Sequence, residues 1–310
     1  MKVLVTGGAG FIGAHLVEEL LKLDVETSIF DNLISSNNQC ISSVANTKNA
    51  QLVKSDIRDL DRLLSAVSGV DIIFHLAALT NIPESIKDPI SFYDVNVKGT
   101  LNVLYAALKA NVPRVIIASS CSVYGDIYES PLKESYLPNP KSPYAASKLM
   151  AEALAESFYY SYGLETICLR YFNVYGLRQR GDSDYAAAIP RFIQCYKQKQ
   201  IPQVYGDGMQ SRDFIHVKDV ARANILAATL PSSVLKNNRI FNIGTGTSTN
   251  ILELLNIISN EANYYMIPKF LEPRLGEVLI SYADTTLTRK HLKFHSMIDL
   301  ELGIKDLYLT

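Results

Sequence analysis

Tyr144 and Lys148 stand four residues apart in a segment whose pattern predicts a helix. This spacing places two side chains on one face of a helix, one turn apart. A phenol loses its proton near pH ~10, and a neighbouring ammonium favours the phenolate, so the pair predicts a tyrosine that acts as a base. Pro143, directly before the pair, is typical of the first turn of a helix. Ordinary amphipathic helices also contain this spacing, so the pair alone does not establish catalysis.

A glycine-rich turn follows the first predicted strand and opens the first predicted helix. It contains Gly7, Gly10 and Gly13. Glycines let the backbone approach a pyrophosphate, and the helix N-terminus offers N–H groups and a positive dipole end. Asp31 ends the second predicted strand, 18 residues after Gly13. A carboxylate there accepts hydrogen bonds from an adenosine ribose and repels a 2′-phosphate, so these features predict NAD rather than NADP as the cofactor.

Short apolar segments rich in Val, Ile and Leu alternate with longer helical patterns through the first half of the chain. The predicted strands are Lys2–Val5, Thr27–Phe30, Gln51–Lys54, Asp71–Leu76, Arg114–Ala118 and Thr166–Arg170. The predicted helices include Phe11–Leu23, Leu60–Val67, Ser91–Ala110 and Tyr144–Tyr162. Strands that are apolar on both faces and alternate with helices predict an α/β protein with a Rossmann-like, doubly wound parallel sheet. Ligands of such sheets bind beyond the carboxyl ends of the strands.

The pattern becomes irregular after about Tyr171. A helix is predicted near Ile189–Gln198, and the chain is expected to return to the sheet layer at Phe214–Leu230 and at Ile240–Ile243. We therefore expect an NAD-binding domain formed by residues 1–172 with 214–243. Residues 173–213 with 244–310 are expected to form a smaller, interleaved α/β domain for the substrate.

Composition excludes several classes of function. The formal net charge of −1 predicts no polyanionic partner such as nucleic acid. The four cysteines are scattered without metal-ligand spacing, so we predict no metal site and a reducing, cytoplasmic environment. The N-terminus enters a strand pattern at once, and no apolar run approaches the ~20 residues that a membrane span needs, so neither a signal peptide nor a membrane partner is expected.

A series of ordered motifs extends over nearly the whole chain. In chain order they are Thr6–Gly13, Asp31, Asp56–Ile57, His75–Ala78, Asn96–Thr100, Ser119–Gly125, Tyr144–Lys148, Arg170–Gly176, Tyr205–Gly208, Ser211–Ala221 and Pro273–Glu277. This series resembles the extended short-chain dehydrogenase/reductase superfamily, and within it the NAD-dependent UDP-sugar 4-epimerases. The resemblance implies tightly bound NAD that is not consumed, a UDP-sugar substrate, and a homodimer formed through the helices around Ser91–Ala110 and Tyr144–Tyr162.

The resemblance also implies a role for each matching position. Tyr144 is the expected base, Lys148 holds the nicotinamide ribose and lowers the pKa of the tyrosine, and Ser120 hydrogen-bonds the reacting oxygen. The expected cofactor-binding residues are Gly7, Gly10, Phe11, Ile12, Gly13, Asp31, Asn32, Asp56, Ile57, Leu76, Ala77, Ala78, Asn96, Tyr144, Lys148 and Phe172. The expected substrate-binding residues are Ser120, Ser122, Tyr144, Asn173, Tyr205, Arg212, Arg274, Glu277 and Ser281.

Related enzymes share the Tyr/Lys pair but catalyse different reactions. In 4,6-dehydratases an Asp-Glu pair follows the hydroxyl residue, and here Cys121 and Ser122 occupy those positions, which disfavours elimination. The expected reaction is 4-epimerisation of a UDP-hexose through a transient 4-keto sugar. The small Ser281 suggests that UDP-GlcNAc and UDP-GalNAc fit as well as UDP-Glc and UDP-Gal. A 4,6-dehydratase, a decarboxylase, a UDP-glucuronate 4-epimerase and a non-catalytic NAD sensor remain alternatives.

Overall fold

The structure is a computed structural model of the 310-residue chain, and it describes residues 1–44, 47, 49–127, 129–180, 187–273 and 278–310. The strands of this part of the chain are β1 (Lys2–Thr6), β2 (Glu26–Asp31), β3 (Ala50–Lys54), β4 (Ile72–His75), β5 (Arg114–Ser120), β6 (Glu165–Tyr171), β7 (Asn173–Tyr175), β8 (Gln203–Tyr205), β9 (Ser211–Arg212), β10 (Phe214–His216), β11 (Ile240–Ile243), β12 (Thr249–Asn250), β13 (Lys269–Leu271) and β14 (Ile280–Ser281).

Helices connect most of these strands. They are α1 (Phe11–Lys22), α2 (Asn38–Val44), α3 (Leu60–Ala66), α4 (Ile82–Lys87), α5 (Pro89–Tyr93), α6 (Gly99–Lys109), α7 (Pro143–Tyr162), α8 (Ala188–Lys197), α9 (Val217–Ala228), α10 (Ser232–Leu235), α11 (Ile251–Ala262), α12 (Thr286–Leu292) and α13 (Leu300–Leu309). A π-helical turn, Asp94–Lys98, joins α5 to α6, and a 3₁₀ turn, Cys121–Tyr124, follows β5.

The central sheet confirms the predicted doubly wound fold. Its seven parallel strands lie in the order β11-β6-β5-β4-β1-β2-β3. Side chains of successive strand residues enter opposite core layers, since Val3 and Val5 pack in one apolar cluster and Leu4 packs in another. This burial on both faces explains the continuous apolar pattern of the strands.

The six predicted strands agree with the observed ones to within one or two residues, and the predicted helix over Ser91–Ala110 differs. It consists of α5, the π-helical turn and α6 in succession, a break that the sequence pattern does not indicate. The return of Phe214–Leu230 to the sheet layer is correct only for its helix. β10 pairs with β7, because β11 occupies the edge of the central sheet beside β6, whereas α9 packs on α1 and contributes to the central core.

A third apolar cluster lies outside the central sheet. It contains side chains of α8, α11 and α13, together with Val204 on β8 and Phe214 on β10. Three short strands, β12, β9 and β14, form a small sheet in that order. Except for β10, these elements come from the part of the chain that the sequence assigns to the substrate, and their positions decide how the substrate residues meet the central sheet.

Candidate active site

The end of β5 and the start of α7 bring the predicted catalytic residues together. α7 begins at Pro143 because the Ser142 hydroxyl caps it, accepting a 3.1 Å hydrogen bond from Ala145 N. The helix packs against β5 and β6 and places the Tyr144 side chain beside the side chain of Ser120, the last residue of β5. Tyr144 is 9% exposed and therefore lies in a largely water-free site.

Lys148 points at the strand rather than at the phenol. Its Nζ donates a 2.9 Å hydrogen bond to the carbonyl oxygen of Ala118, and burial lowers the pKa of Lys148 to about 8. Burial raises the pKa of Tyr144 to about 12, and the hydrogen bond with Ser120 opposes this shift. The expectation that Lys148 lowers the pKa of Tyr144 is therefore not met by the protein's own groups.

The glycine turn packs so closely against neighbouring backbone that side chains at Gly7 and Gly13 would not fit. Gly7 has a φ of +70°, and a Cβ placed on it would lie 2.6 Å from Ala77 N. A Cβ on Gly13 would lie 2.1 Å from the carbonyl oxygen of Gly7. The turn can therefore pack closely against the segment after β4 and against the first helix only because these positions are glycine, which is the packing role of glycines in dinucleotide-binding turns.

Asp31 lies next to the same turn. Its Oδ2 accepts a 3.0 Å hydrogen bond from Ala9 N, and its Oδ1 accepts a 2.8 Å hydrogen bond from Leu33 N. The carboxylate is fixed at the carboxyl end of β2, where it faces the glycine turn. The turn and the carboxylate together fit a dinucleotide whose ribose hydroxyls donate to Asp31.

The other predicted cofactor residues lie along the same edge. Phe11 and Ile12 begin α1, and Leu76, Ala77 and Ala78 follow β4. Asn32 Nδ2 donates a 2.8 Å hydrogen bond to Asp56 Oδ2, and Arg58 lowers the pKa of Asp56 to about 2. Ile57 is buried, and its side chain fills the space beside Gly99.

Two predicted cofactor residues have their polar groups bound within the protein. Asn96 Oδ1 accepts from Leu79 N at 2.8 Å, and Asn96 Nδ2 donates to Leu79 O and to Ser147 Oγ, both at 2.9 Å. Phe172 is buried against Tyr124, and its backbone N donates to Ile243 O. Both residues order the walls of the site.

His75 ends β4, and both of its ring nitrogens have partners within the protein. Its Nε2 lies 2.9 Å from Thr100 Oγ1, which donates to Asn96 O, so the histidine donates to the threonine. Its Nδ1 lies 2.7 Å from Thr6 Oγ1. Burial lowers the pKa of His75 to about 3, and the side chain is a neutral structural residue.

The substrate residues reach the catalytic group through β9 and β14. In this parallel pair Ser281 lies opposite Arg212. The Ser281 side chain lies beside the thiol of Cys121, and Cys121 in turn faces Tyr144. Arg212 Nη1 donates to the carbonyl oxygens of Ser211 and Val278, at 2.8 and 2.7 Å. A residue on β14 thus lies two side chains from the predicted base.

Other predicted substrate residues lie around this strand pair. Asn173 begins β7, and its backbone N donates to Asp213 O. Tyr205 ends β8, with the Arg191 guanidinium 5.9 Å from the centre of its ring. Ser122 Oγ is buried and has no hydrogen-bond partner among the described residues. Arg274 and Glu277 lie outside the described residues.

Comparison with known proteins decides the family. The model of the NAD dependent epimerase/dehydratase family matches residues 3–244, most of the chain. The protein belongs to this family. A putative UDP-glucose 4-epimerase of Methanocaldococcus jannaschii is 38% identical over 306 residues, which cover 98% of this chain and 96% of that protein.

Two solved structures of epimerases share the fold over nearly their whole length. UDP-N-acetylglucosamine 4-epimerase from Methanobrevibacter ruminantium M1, in complex with UDP-N-acetylmuramic acid, has a TM-score of 0.93 and 38% identity, and the match covers 99% of this chain and 97% of that one. UDP-glucose 4-epimerase from Thermus thermophilus, in complex with NAD, has a TM-score of 0.87 and 30% identity, covering 100% and 99%. The predicted superfamily, the fold and an enzyme that uses NAD are confirmed.

The structure of this family member adds a site residue to which the sequence assigned no role. Asp213 is fully buried and accepts hydrogen bonds from Thr245 N and Oγ1, Gly246 N and Ala283 N at 2.7–3.1 Å. Asp213 directly follows β9 and joins that strand to the turn after β11 and to Ala283, two residues after the end of β14. The signal in the sequence was a carboxylate between Arg212 and an apolar strand, but the partners are distant in the chain.

Two negative findings concern the described residues alone. No helix among them is long and apolar enough to cross a membrane. Within the same ranges, no three His, Cys, Asp or Glu side chains are grouped so that they could hold a metal ion.

Proposed function

We propose that this protein interconverts UDP-hexoses that differ in configuration at C4, using tightly bound NAD that is not consumed. The observation that carries this function is the placement of Tyr144 next to Ser120 at the carboxyl end of β5, with Cys121 and Ser281 alongside. A base, a hydroxyl, a dinucleotide surface and a substrate strand therefore converge at the carboxyl ends of the central strands.

The chain's own residues have distinct tasks in this reaction. Ser120 orients the 4-hydroxyl of the sugar, and Tyr144 accepts its proton and later returns it. NAD, when bound, supplies reversible hydride acceptance and a positively charged nicotinamide ring. Burial raises the pKa of Tyr144 to about 12, so positive charge beside the phenol is needed for it to act as a base near neutral pH. Lys148 holds the ribose from its position against Ala118 O.

The substrate is held through its diphosphate. Arg212 lies on β9 beside β14, and a guanidinium binds phosphate through two parallel hydrogen bonds without losing its charge. We assign Arg212, Arg274, Asn173, Tyr205, Ser122 and Glu277 to the UDP portion. Holding the nucleotide leaves the sugar ring free to present either face of C4, so remote binding energy supports the chemistry.

The sugar pocket accepts an N-acetyl group in this proposal. Ser281 is small, and it faces another small side chain, Cys121. Two of the similar proteins support a broad specificity. The Methanocaldococcus jannaschii protein is a putative UDP-glucose 4-epimerase, and the Methanobrevibacter ruminantium protein is a UDP-N-acetylglucosamine 4-epimerase. We therefore assign UDP-Glc/UDP-Gal and UDP-GlcNAc/UDP-GalNAc as substrates.

A direct assay tests the reaction type. Purified protein is incubated separately with UDP-Gal, UDP-GalNAc and UDP-glucuronate without added NAD, and the nucleotide sugars are separated and identified by mass spectrometry. We expect isobaric products, UDP-Glc and UDP-GlcNAc. Loss of water identifies a dehydratase, loss of CO₂ from UDP-glucuronate identifies a decarboxylase, and conversion of UDP-glucuronate alone identifies a glucuronate epimerase. No turnover of any substrate contradicts the proposal.

The proposal also includes the division into two domains and a homodimer. The central sheet supports the NAD-binding domain, and the cluster formed by α8, α11 and α13 supports the substrate domain. Leu101, Tyr105 and Met150 are exposed on the neighbouring helices α6 and α7, which supports a homodimer through these helices. Light scattering of the protein and of a Leu101→Glu variant tests the assembly, and a monomer in both contradicts it.

A further inference from the structure

A buried ion pair lies behind the catalytic residues. Glu152 on α7 is bound by Arg170 on β6, whose Nε and Nη2 donate to the two carboxylate oxygens at 2.9 and 2.8 Å. The two side chains are 3% and 2% exposed. Ser119 Oγ donates a 2.5 Å hydrogen bond to the same carboxylate. Three elements, α7, β5 and β6, therefore meet at Glu152.

Glu152 continues the spacing of the catalytic pair. Tyr144, Lys148 and Glu152 follow one another at intervals of four residues, on successive turns of α7. Lys148 donates to Ala118 O, Glu152 accepts from Ser119 Oγ, and Tyr144 lies beside the Ser120 side chain. Three consecutive residues at the end of β5 thus each meet a different turn of the same helix, and two of them are hydrogen-bonded to it.

Stability alone does not account for this pair. Replacing a buried ion pair by apolar side chains of similar volume is often neutral or stabilising, because the desolvation of two charges offsets their attraction. The Arg170 side chain also leaves its Nη1 buried without a hydrogen-bond partner among the described residues, which adds to the cost. What the pair does supply is a fixed orientation, in which Arg170 holds the negatively charged Glu152 carboxylate at a defined place.

That charge faces Lys148. Besides Glu152 on its own helix, Lys148 faces Cys168 on β6 and His75 on β4. Burial raises the pKa of the Cys168 thiol well above its usual value and lowers the pKa of His75 to about 3, so both are neutral near pH 7. Glu152 opposes the effect of burial on Lys148 and favours the ammonium form.

We propose that Glu152, held by Arg170, is a positioning residue that fixes Ser120 and Lys148 around Tyr144 and keeps a negative charge beside the Lys148 ammonium. It acts through these groups and does not touch the substrate. Removal of the carboxylate charge leaves the fold of the sheet in place but loosens the end of β5 and favours loss of the Lys148 proton. Small misplacements of this kind cost about 10²-fold in rate.

The test compares Glu152→Gln with two matched controls. Glu165→Gln removes the carboxylate partner of Arg114 at the opposite end of the same two strands, and Glu156→Gln removes an exposed carboxylate one turn further along α7. We expect Glu152→Gln to lower kcat about 10- to 100-fold, with unchanged KM and NAD content. The alkaline limb of its pH–kcat profile moves to lower pH. Both controls retain kcat and the profile of the unaltered protein.

A second measurement does not need turnover, because the kinetic part presumes the proposed epimerisation. The Lys148 side chain is followed by NMR in protein with ¹³C-labelled lysine, with Lys148→Met identifying its signal. The titration midpoint falls by about 1 pH unit in Glu152→Gln. An inactive parent protein contradicts the proposed function, whereas the midpoint still tests Glu152. If Glu152→Gln does not fold, the double variant Glu152→Met/Arg170→Met replaces it. An unchanged midpoint, or kcat equal to that of the controls, overturns the proposal.

Discussion

Lys148 Nζ donates a 2.9 Å hydrogen bond to the carbonyl oxygen of Ala118, which fixes the ammonium to β5 in the interior of the protein. The residue is only 7% exposed at this place. Burial removes water from the Lys148 ammonium and raises the free energy of its charged form, and the pKa of Lys148 is therefore lowered to about 8. The arrangement therefore serves the site at the expense of stability.

Replacement of Lys148 by Met should raise stability near neutral pH while abolishing turnover. Between pH 8 and 10.5 the unfolded chain binds the lysine proton and the folded chain does not, so charging Lys148 opposes folding. The penalty is fully present below pH 8 and disappears as the pH rises past 10.5. The two pKa values differ by an amount worth about 3 kcal/mol, and the lost hydrogen bond to Ala118 O offsets about 1 kcal/mol of that.

Thermal unfolding of both proteins at pH 7 and pH 10 checks this prediction. We expect Lys148→Met to have the higher Tm at pH 7 and a smaller advantage at pH 10. Comparison of the two proteins at each pH cancels the titration of all other groups. An advantage that is equal at both pH values, or a lower Tm at pH 7, contradicts the account of Lys148.

Tyr144→Phe should lose turnover without losing the cofactor. The change removes the phenolic oxygen beside Ser120 and leaves the ring that fills the buried site. General acid–base catalysis is worth about 10²–10⁴-fold, and kcat should fall by that amount. Tyr160→Phe is the control, because Tyr160 lies on the same helix and its hydroxyl binds only Arg239 among the described residues. Equal activity of the two variants would exclude Tyr144 as the base.

Gly7→Ala should prevent NAD binding. An alanine at this position is strained by the left-handed φ of +70°. Its Cβ would also lie 2.6 Å from Ala77 N, which is backbone that cannot move aside. Gly69 provides a matched control with a φ of +68° and no atom within 4 Å of an added Cβ. Both alanines lose about 1–2 kcal/mol of stability to backbone strain, and only Gly7→Ala should be purified without NAD, as measured by nucleotide released on denaturation.

Local signals were sufficient to predict most of the fold. α7 is an example, since Ser142 and Pro143 mark its start and Gly163, with a φ of +71°, follows its last residue. The π-helical turn Asp94–Lys98 was not predicted. The turn lies against α7, so it packs on a segment that is distant in the chain, and no local pattern in the sequence indicates it.

The candidate site was predictable to the extent that topology brings strand ends together. Ser120 and Tyr144 meet because β5 ends where α7 begins, and Asp31 meets the glycine turn because β2 lies beside β1. The direction of Lys148 towards Ala118 O was not predictable, because the sequence places the residue on a helix face but does not fix where its long, flexible side chain ends. The contact of Ser281 with Cys121 depends on the register of β9 and β14, which no local pattern sets.

Ser281→Tyr should convert the enzyme to one restricted to sugars without an N-acetyl group. Ser281 is 8% exposed, and its side chain faces the Cys121 thiol next to Tyr144, so a tyrosine there takes space beside the reacting sugar. We expect kcat/KM for UDP-GalNAc to fall at least about 100-fold, because a clash rejects the larger substrate, while the value for UDP-Gal changes by less than about 3-fold. Ser281→Ala is the control, since it removes the hydroxyl without adding volume, and it should keep both activities. Equal loss of the two substrates in Ser281→Tyr, at unchanged Tm, would show that this position does not border the 2-substituent of the sugar.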